Sequence, residues 1–188
     1  MAISETVFSE YEAKRIGVII DKDAVEVPCV GSIEEELEVK TMTKNCRGVV
    51  AKTRTRGTGN GTLTISVHCP IELYRKLFDM KNDGLKKGVY AYGYESRHPE
   101  FTLTVDVFDE DGNEKLKAYP RCVIQSNMSR SIENGADEVA EIEIEVAVMP
   151  DDNENGMYEC LVSELEGEDE IKTKWMKEFS LDLIKNAA

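Results

Sequence analysis

The sequence predicts a mainly β protein, an antiparallel β-sandwich or barrel-like domain flanked by one mid-chain α-helix, with an extended loop and terminal arms. Three observations carry this. Apolar and polar residues alternate at period two through most of the chain, turn-forming residues separate the alternating runs, and a single segment clearly adopts helical spacing instead. The 188 residues suit one domain over 1–188, long enough to bury a core.

Ile16–Ile20 and Ala24–Val30 flank Asp21-Lys22-Asp23 and read as a hairpin. Residues 1–15 before it form an N-terminal arm. Leu37, Val39 and Thr41 then alternate with Glu36, Glu38 and Lys40, and Arg47–Thr53 is a further strand candidate. Residues 54–61, ending Gly57-Thr58-Gly59-Asn60-Gly61, read as a flexible loop before Thr62–Val67 resumes the alternation. Pro70 suits a first helical turn, and Ile71, Tyr74, Leu77 and Phe78 share one helical face. That helix, of about three turns, is expected to close at Asn82-Asp83-Gly84, with Gly84 as a left-handed cap.

Val89–Tyr94 and Phe101–Phe108 are strand candidates, and Asp111-Gly112 marks a tight turn before Lys115–Tyr119. Cys122–Ser129 and Val139–Met149 complete the strands. After Gly156, the spacing of Tyr158, Leu161, Val162 and Leu165 fits a helix. Ile171–Phe179 fits either state, and 180–188 reads as a tail.

The net charge of −14 argues against a protein that wraps nucleic acid, because wrapping neutralises phosphates with Lys and Arg. The five cysteines are scattered without a CxxC, and the first residues lack a basic, then apolar, leader pattern; both point to reduced thiols in a cytoplasm. No run is long enough to span a bilayer, so no membrane partner is expected.

No catalytic, cofactor or metal residues emerge. Arg56–Gly61 lacks the Gly-Lys-Ser/Thr ending of a phosphate loop. Asp151–Gly156 matches only the first half of a calcium loop, with Val162 where the bidentate glutamate belongs. Glu141, Glu143 and Glu145 share one strand face, as paired acid and base residues would, but no substrate cleft accompanies them. His68 and His98 have no ligand partners at metal spacing, and Trp175 is expected in the chain's own core.

Charge is sorted along the chain. From Lys40 to Ile71 there is no Asp or Glu but six cations: Lys40, Lys44, Arg47, Lys52, Arg54 and Arg56. From Ser131 to Ile171 there is no Lys or Arg but fifteen Asp or Glu. Such blocks suit a subunit that docks on copies of itself, with complementary potentials setting the contact.

The most specific stretch begins at Ala118-Tyr119-Pro120 and Cys122-Val123-Ile124. It continues through Ile132–Glu138, a long alternating strand ending Val148-Met149-Pro150, then Gly156–Glu159 and Lys174-Trp175-Met176. Here the chain resembles the major tail proteins, or tail tube proteins, of long-tailed phages or prophages of Gram-positive bacteria. The resemblance implies a structural, non-enzymatic subunit that forms hexameric rings. These stack into a tube in the virion tail, after synthesis in the host bacterial cytoplasm. Its partners would be other copies of itself and the tape measure, tail terminator and distal tail proteins. Viral DNA would pass through the lumen without specific binding.

On that reading Glu141, Glu143, Glu145, Glu34, Glu36 and Glu38 are candidates for an acidic lumen lining that repels phosphates. Lys52, Arg54 and Arg56 would meet Glu168, Asp169 and Glu170 of the next ring. The alternatives are an acidic β-sandwich binding module for carbohydrate or calcium-dependent adhesion, and a hydrolase with paired carboxylates. The first predicts stabilisation by calcium or sugar. The second predicts a deep pocket with two carboxyls of separated pKa.

Overall fold

A computed structural model describes residues 7–135, 138–165 and 167–185. Eight strands form one antiparallel sheet: β1 Glu12–Ile20, β2 Asp23–Val27, β3 Val30–Cys46, β4 Val49–Val67, β5 Phe101–Phe108, β6 Glu114–Ile124, β7 Ile142–Met149 and β8 Tyr158–Leu161. The strand order is β2-β1-β5-β6-β7-β4-β3, with β8 added on β6. Helices α1 Ile71–Leu77, α2 Asp169–Glu178 and α3 Leu181–Ile184 complete the described chain. The mainly β class is therefore as expected from the alternation.

The sheet curls around one core. Ile16 and Val18 (β1), Leu63 and Ile65 (β4), Leu103 and Val105 (β5), Tyr119 and Cys122 (β6), and Ile144 and Val146 (β7) all point inward and are buried together. Helix α1 caps this core with Leu73, Tyr74 and Leu77. A second cluster forms on the outer side of the sheet. There α2 lays Trp175 and Met176 over Leu116 and Ala118, and the Trp175 indole donates to the Lys117 carbonyl at 3.0 Å. Gly17 permits this approach, since a Cβ there would stand 2.5 Å from the Met176 carbonyl oxygen.

Local chemistry explains the turns. Asp21 and Lys22 hold φ of 49° and 75°, the paired positive values a two-residue hairpin turn needs. Pro120 lies inside β6 at a register shift between β5 and β6, the kind of place where a missing N–H is tolerated. The Asp109 carboxylate accepts from the backbone N–H groups of Asp111 (3.0 Å) and Asn113 (2.7 Å), closing the β5–β6 hairpin.

Several sequence expectations are corrected. Residues 54–61 are strand within β4, because they pair with β3 across a bulge. Val89–Tyr94 is no strand: among the described residues it pairs only through a Lys81–Ala91 bridge, and Tyr92 instead leans on Phe78 and His98. Helix α1 stops at Leu77, well short of Gly84. Asp79 takes φ of 46°, and its carboxylate binds Lys81 Nζ (2.7 Å) and the Arg97 N–H (2.8 Å). Ile71 is half exposed, and Leu73 takes the buried place assigned to it.

Tyr158–Leu161 is strand β8, pairing with Lys115–Ala118 where β7 does not reach. Val162–Glu164 follows as one 3₁₀ turn. Within the expected arm, Glu12–Arg15 already belong to β1, and residues 1–6 lie outside the described residues. Of the expected tail, Leu181–Ile184 is helical, and 186–188 lie outside the described residues. No described helix is long and apolar enough to cross a membrane.

Candidate assembly surfaces

Strands β3 and β4 are far longer than their neighbours, and their outer halves form a two-stranded arm. Its eight residues from Val39 to Cys46 reach about 26 Å at about 3.3 Å each. The tip is a two-residue turn, Arg47 (φ 51°) and Gly48 (φ 77°). Residues 39–56 are exposed throughout.

The register sorts the arm's side chains. Cross-strand partners share a face, so Lys40 with Arg56, Met42 with Arg54 and Lys44 with Lys52 make one face. The other face carries Val39, Thr41, Thr43, Thr53 and Thr55, with the Thr41 and Thr55 hydroxyls 2.9 Å apart. Among the described residues, Arg15, His68, Lys76, Lys81, Lys115, Lys117, Arg121, Lys174 and Lys177 form ion pairs; the six arm cations form none. Two like-charged pairs sit directly opposite one another, which works against the isolated hairpin.

The arm's base is fixed. One residue of β3, Glu38, faces three of β4, Thr58–Asn60, and Gly59 takes φ of 79°. A Cβ on Gly59 would stand 2.8 Å from Pro150 Cβ and 2.9 Å from the Glu154 carbonyl oxygen. The Asp151–Gly156 turn that packs here is held by its own carboxylate. Asp151 accepts from the N–H groups of Asn153 (2.8 Å) and Asn155 (3.0 Å) and from the Tyr158 hydroxyl (2.7 Å). Its oxygens serve the turn, and no described group of three or more His, Cys, Asp or Glu could hold a metal ion.

Below the arm lies an acidic sheet face. Thr64 stands between Glu34 and Glu145, Ser66 lies beside Glu143, and Thr62 stands between Glu36 and Ala147. The four glutamates are exposed. The structure thus brings together two acidic runs more than a hundred residues apart in the chain. Glu38 sits at the bulge, and Glu141, just before β7, lies against Gly31 with a carboxylate oxygen 4.0 Å from His68 Nε2.

Glu168, Asp169 and Glu170 stand apart at the start of α2, with Glu170 held by Lys174 at 2.6 Å. No ion pair joins them to Lys52, Arg54 or Arg56 within the chain.

Alternation misses one polar cluster. A groove of about 720 Å³ opens between β1 and β3, and Lys117 and Tyr119 line it. The Lys117 ammonium binds Glu35 and, at 3.2 Å, Glu10, while the Tyr119 hydroxyl donates to Glu35 at 2.8 Å. Burial pulls the Lys117 pKa down, but the two carboxylates more than offset this and hold it above the ordinary lysine value. Burial, then the charge of Glu35, raises Tyr119. Lys117 stays charged and Tyr119 neutral near pH 7, so neither is poised to exchange a proton there. A lone Lys between Leu116 and Ala118 is the sequence signal for this cluster.

No protein-family model matches the chain, and no curated protein matches it. Among solved structures it is similar to the tube-terminating cap of the anti-feeding prophage (14% identity, TM-score 0.46, 86% of this chain and 100% of that one). It is also similar to a chain of the PVC extracellular contractile injection system sheath-tube complex in its extended state (11%, 0.46, 79% and 90%). A chain of the anti-feeding prophage baseplate gives 10% identity and a TM-score of 0.41 over 84% of this chain and 97% of that one. At these scores the likeness is loose, and the functional reading rests on the chain's own surfaces.

Proposed function

We propose that this chain is a structural subunit that self-assembles into stacked hexameric rings. The rings form a phage tail tube, the conduit for viral DNA delivery to the host. The observation that carries this reading is the arm: a protruding hairpin with one cationic face and no acidic partner in its own chain among the described residues. A surface so charged is built to meet another molecule, and the acidic excess elsewhere makes further copies suitable partners.

In this assembly Lys52, Arg54 and Arg56 contact an acidic surface of the next ring, with Glu168, Asp169 and Glu170 as candidates. The face bearing Glu34, Glu36, Glu143 and Glu145 lines the lumen. Its carboxylates repel the phosphate backbone, so DNA slides without sticking. The subunit works without catalysis, alongside tape measure, terminator and distal tail proteins.

Negative-stain electron microscopy of the concentrated protein across a salt series tests this. Rings or uniform hollow tubes are expected at low salt, and the Lys52→Glu/Arg54→Glu/Arg56→Glu variant should give none. Dispersed particles from the native chain at every salt, or normal tubes from the variant, would overturn the stacking assignment.

A further inference from the structure

We propose that two copies of this chain pair in solution through their β3–β4 ribbons, face to face and antiparallel about a two-fold axis. Each basic arm then lies on the acidic sheet face of the other copy. The extra residues at the bulge belong to β4, so the alternation of β3 runs through it unbroken. Glu34, Glu36, Glu38, Lys40, Met42 and Lys44 therefore follow one another on a single face.

That series inverts its charge about Val39. A two-fold axis there sets Glu34 against Lys44, Glu36 against Met42 and Glu38 against Lys40 of the second copy. The β4 neighbours deepen the pattern: hydroxyls Thr62 and Thr64 lie beside the acids, and Arg56, Arg54 and Lys52 beside the basic half. Glu143 and Glu145 on β7 widen the acidic end. A ribbon acidic at its base and basic at its tip is self-complementary after a two-fold rotation, the requirement for a closed isologous contact.

Neither end has an ion-pairing partner within the chain among the described residues. Each arm also carries the like-charged pairs Lys40/Arg56 and Lys44/Lys52, whose repulsion an acidic partner relieves. The pairing uses the surfaces that the proposed tube needs. On that reading, the dimer is a resting form that withholds subunits from growth.

Sedimentation of the full chain at low and high salt tests the pairing, because contacts of this kind are screened beyond about 10 Å at 0.1 M salt. In dilute solution, below the concentration at which tubes form, we expect a closed dimer at low salt and a monomer at high salt. Lys40→Glu/Lys44→Glu/Lys52→Glu/Arg54→Glu/Arg56→Glu makes the paired face of the ribbon acidic throughout, and Glu34→Lys/Glu36→Lys/Glu38→Lys/Glu143→Lys/Glu145→Lys makes it basic throughout. Each variant alone should be monomeric, and their mixture should restore a 1:1 dimer, which also shows that both are folded.

A native monomer at low salt, a dimer that survives either variant alone, or oligomers beyond two copies in that dilute range would overturn the proposal. The tube reading fails separately: closed dimers with no tubes in any condition would leave this pairing standing, and tubes without dimers would do the reverse.

Discussion

The carbonyl oxygen of Gly59, in the bulge of β4, occupies the place where a Cβ on Gly156 would stand. Two backbones 97 residues apart in sequence meet here with no side chain between them, so the Asp151–Gly156 turn sets the direction in which the arm leaves the sheet. Gly156→Ala must push the turn off the bulge. We expect a loss of about 1–3 kcal/mol, the usual range for overpacking, read as a lower urea midpoint at unchanged slope. Tube growth should fall further than stability does, because the arm is re-aimed as well as loosened.

Lys117 is the next test, since its ammonium neutralises Glu35 and Glu10 where the groove meets the core. Lys117→Met keeps the volume but leaves Glu35 with only the Tyr119 hydroxyl. Breaking a buried pair from one side costs about 3 kcal/mol. Lys117→Met combined with Glu35→Gln should recover much of that loss, because the buried carboxylate is gone and the exposed Glu10 keeps Lys115 at 3.4 Å. A double-mutant cycle in urea checks it; additive losses would show that the pair does not act as a unit.

Asp151 links stability to pH. Its burial raises the carboxyl's pKa, but hydrogen bonds from Tyr158, Asn155 and Asn153 outweigh burial and hold it below the ordinary value. A carboxyl depressed by folding contributes stability above its unfolded pKa, near 3.9, and loses it as pH falls toward the folded value. Asp109 is depressed in the same direction, first by its side-chain bond with Asn113. Unfolding measured from pH 6 downward should show stability falling most steeply below about pH 4. Asp151→Asn should flatten that fall while leaving the Asp109 part in place.

The elements legible in the sequence were those with one wet and one dry face. Thr62–Val67, where buried Leu63, Ile65 and Val67 alternate with partly exposed Thr62, Thr64 and Ser66, and the Asp21-Lys22 turn are found where alternation and turn chemistry put them. The arm was legible in part: the Leu37–Thr41 alternation and Val49–Thr53 read correctly as strand, but both faces are wet, so period two does not mark burial, and Gly57, Gly59 and Gly61 made 54–61 look like loop. Helix α2 hid for the opposite reason, since Trp175 and Met176 are its only buried residues amid Lys, Glu and Thr. Glu143 and Glu145 could be seen sharing a face, but their union with Glu34 and Glu36 depends on β4 lying between two strands far apart in the chain.

That wet arm carries the last prediction. Lys44 and Lys52 are directly opposite, so Lys44→Glu turns a repulsive cross-strand pair into an attractive one, worth about 0.2–1 kcal/mol to the hairpin. Global stability should barely change, because the arm contributes nothing to the buried core. Amide exchange in residues 40–56 of the monomer should slow instead, since local opening is governed by the hairpin's own contacts. The same substitution replaces one positive charge of the docking face with a negative one, so tubes should form more slowly from a better-ordered arm. Slower exchange with faster growth would mean that ordering the arm limits assembly more than its charge does.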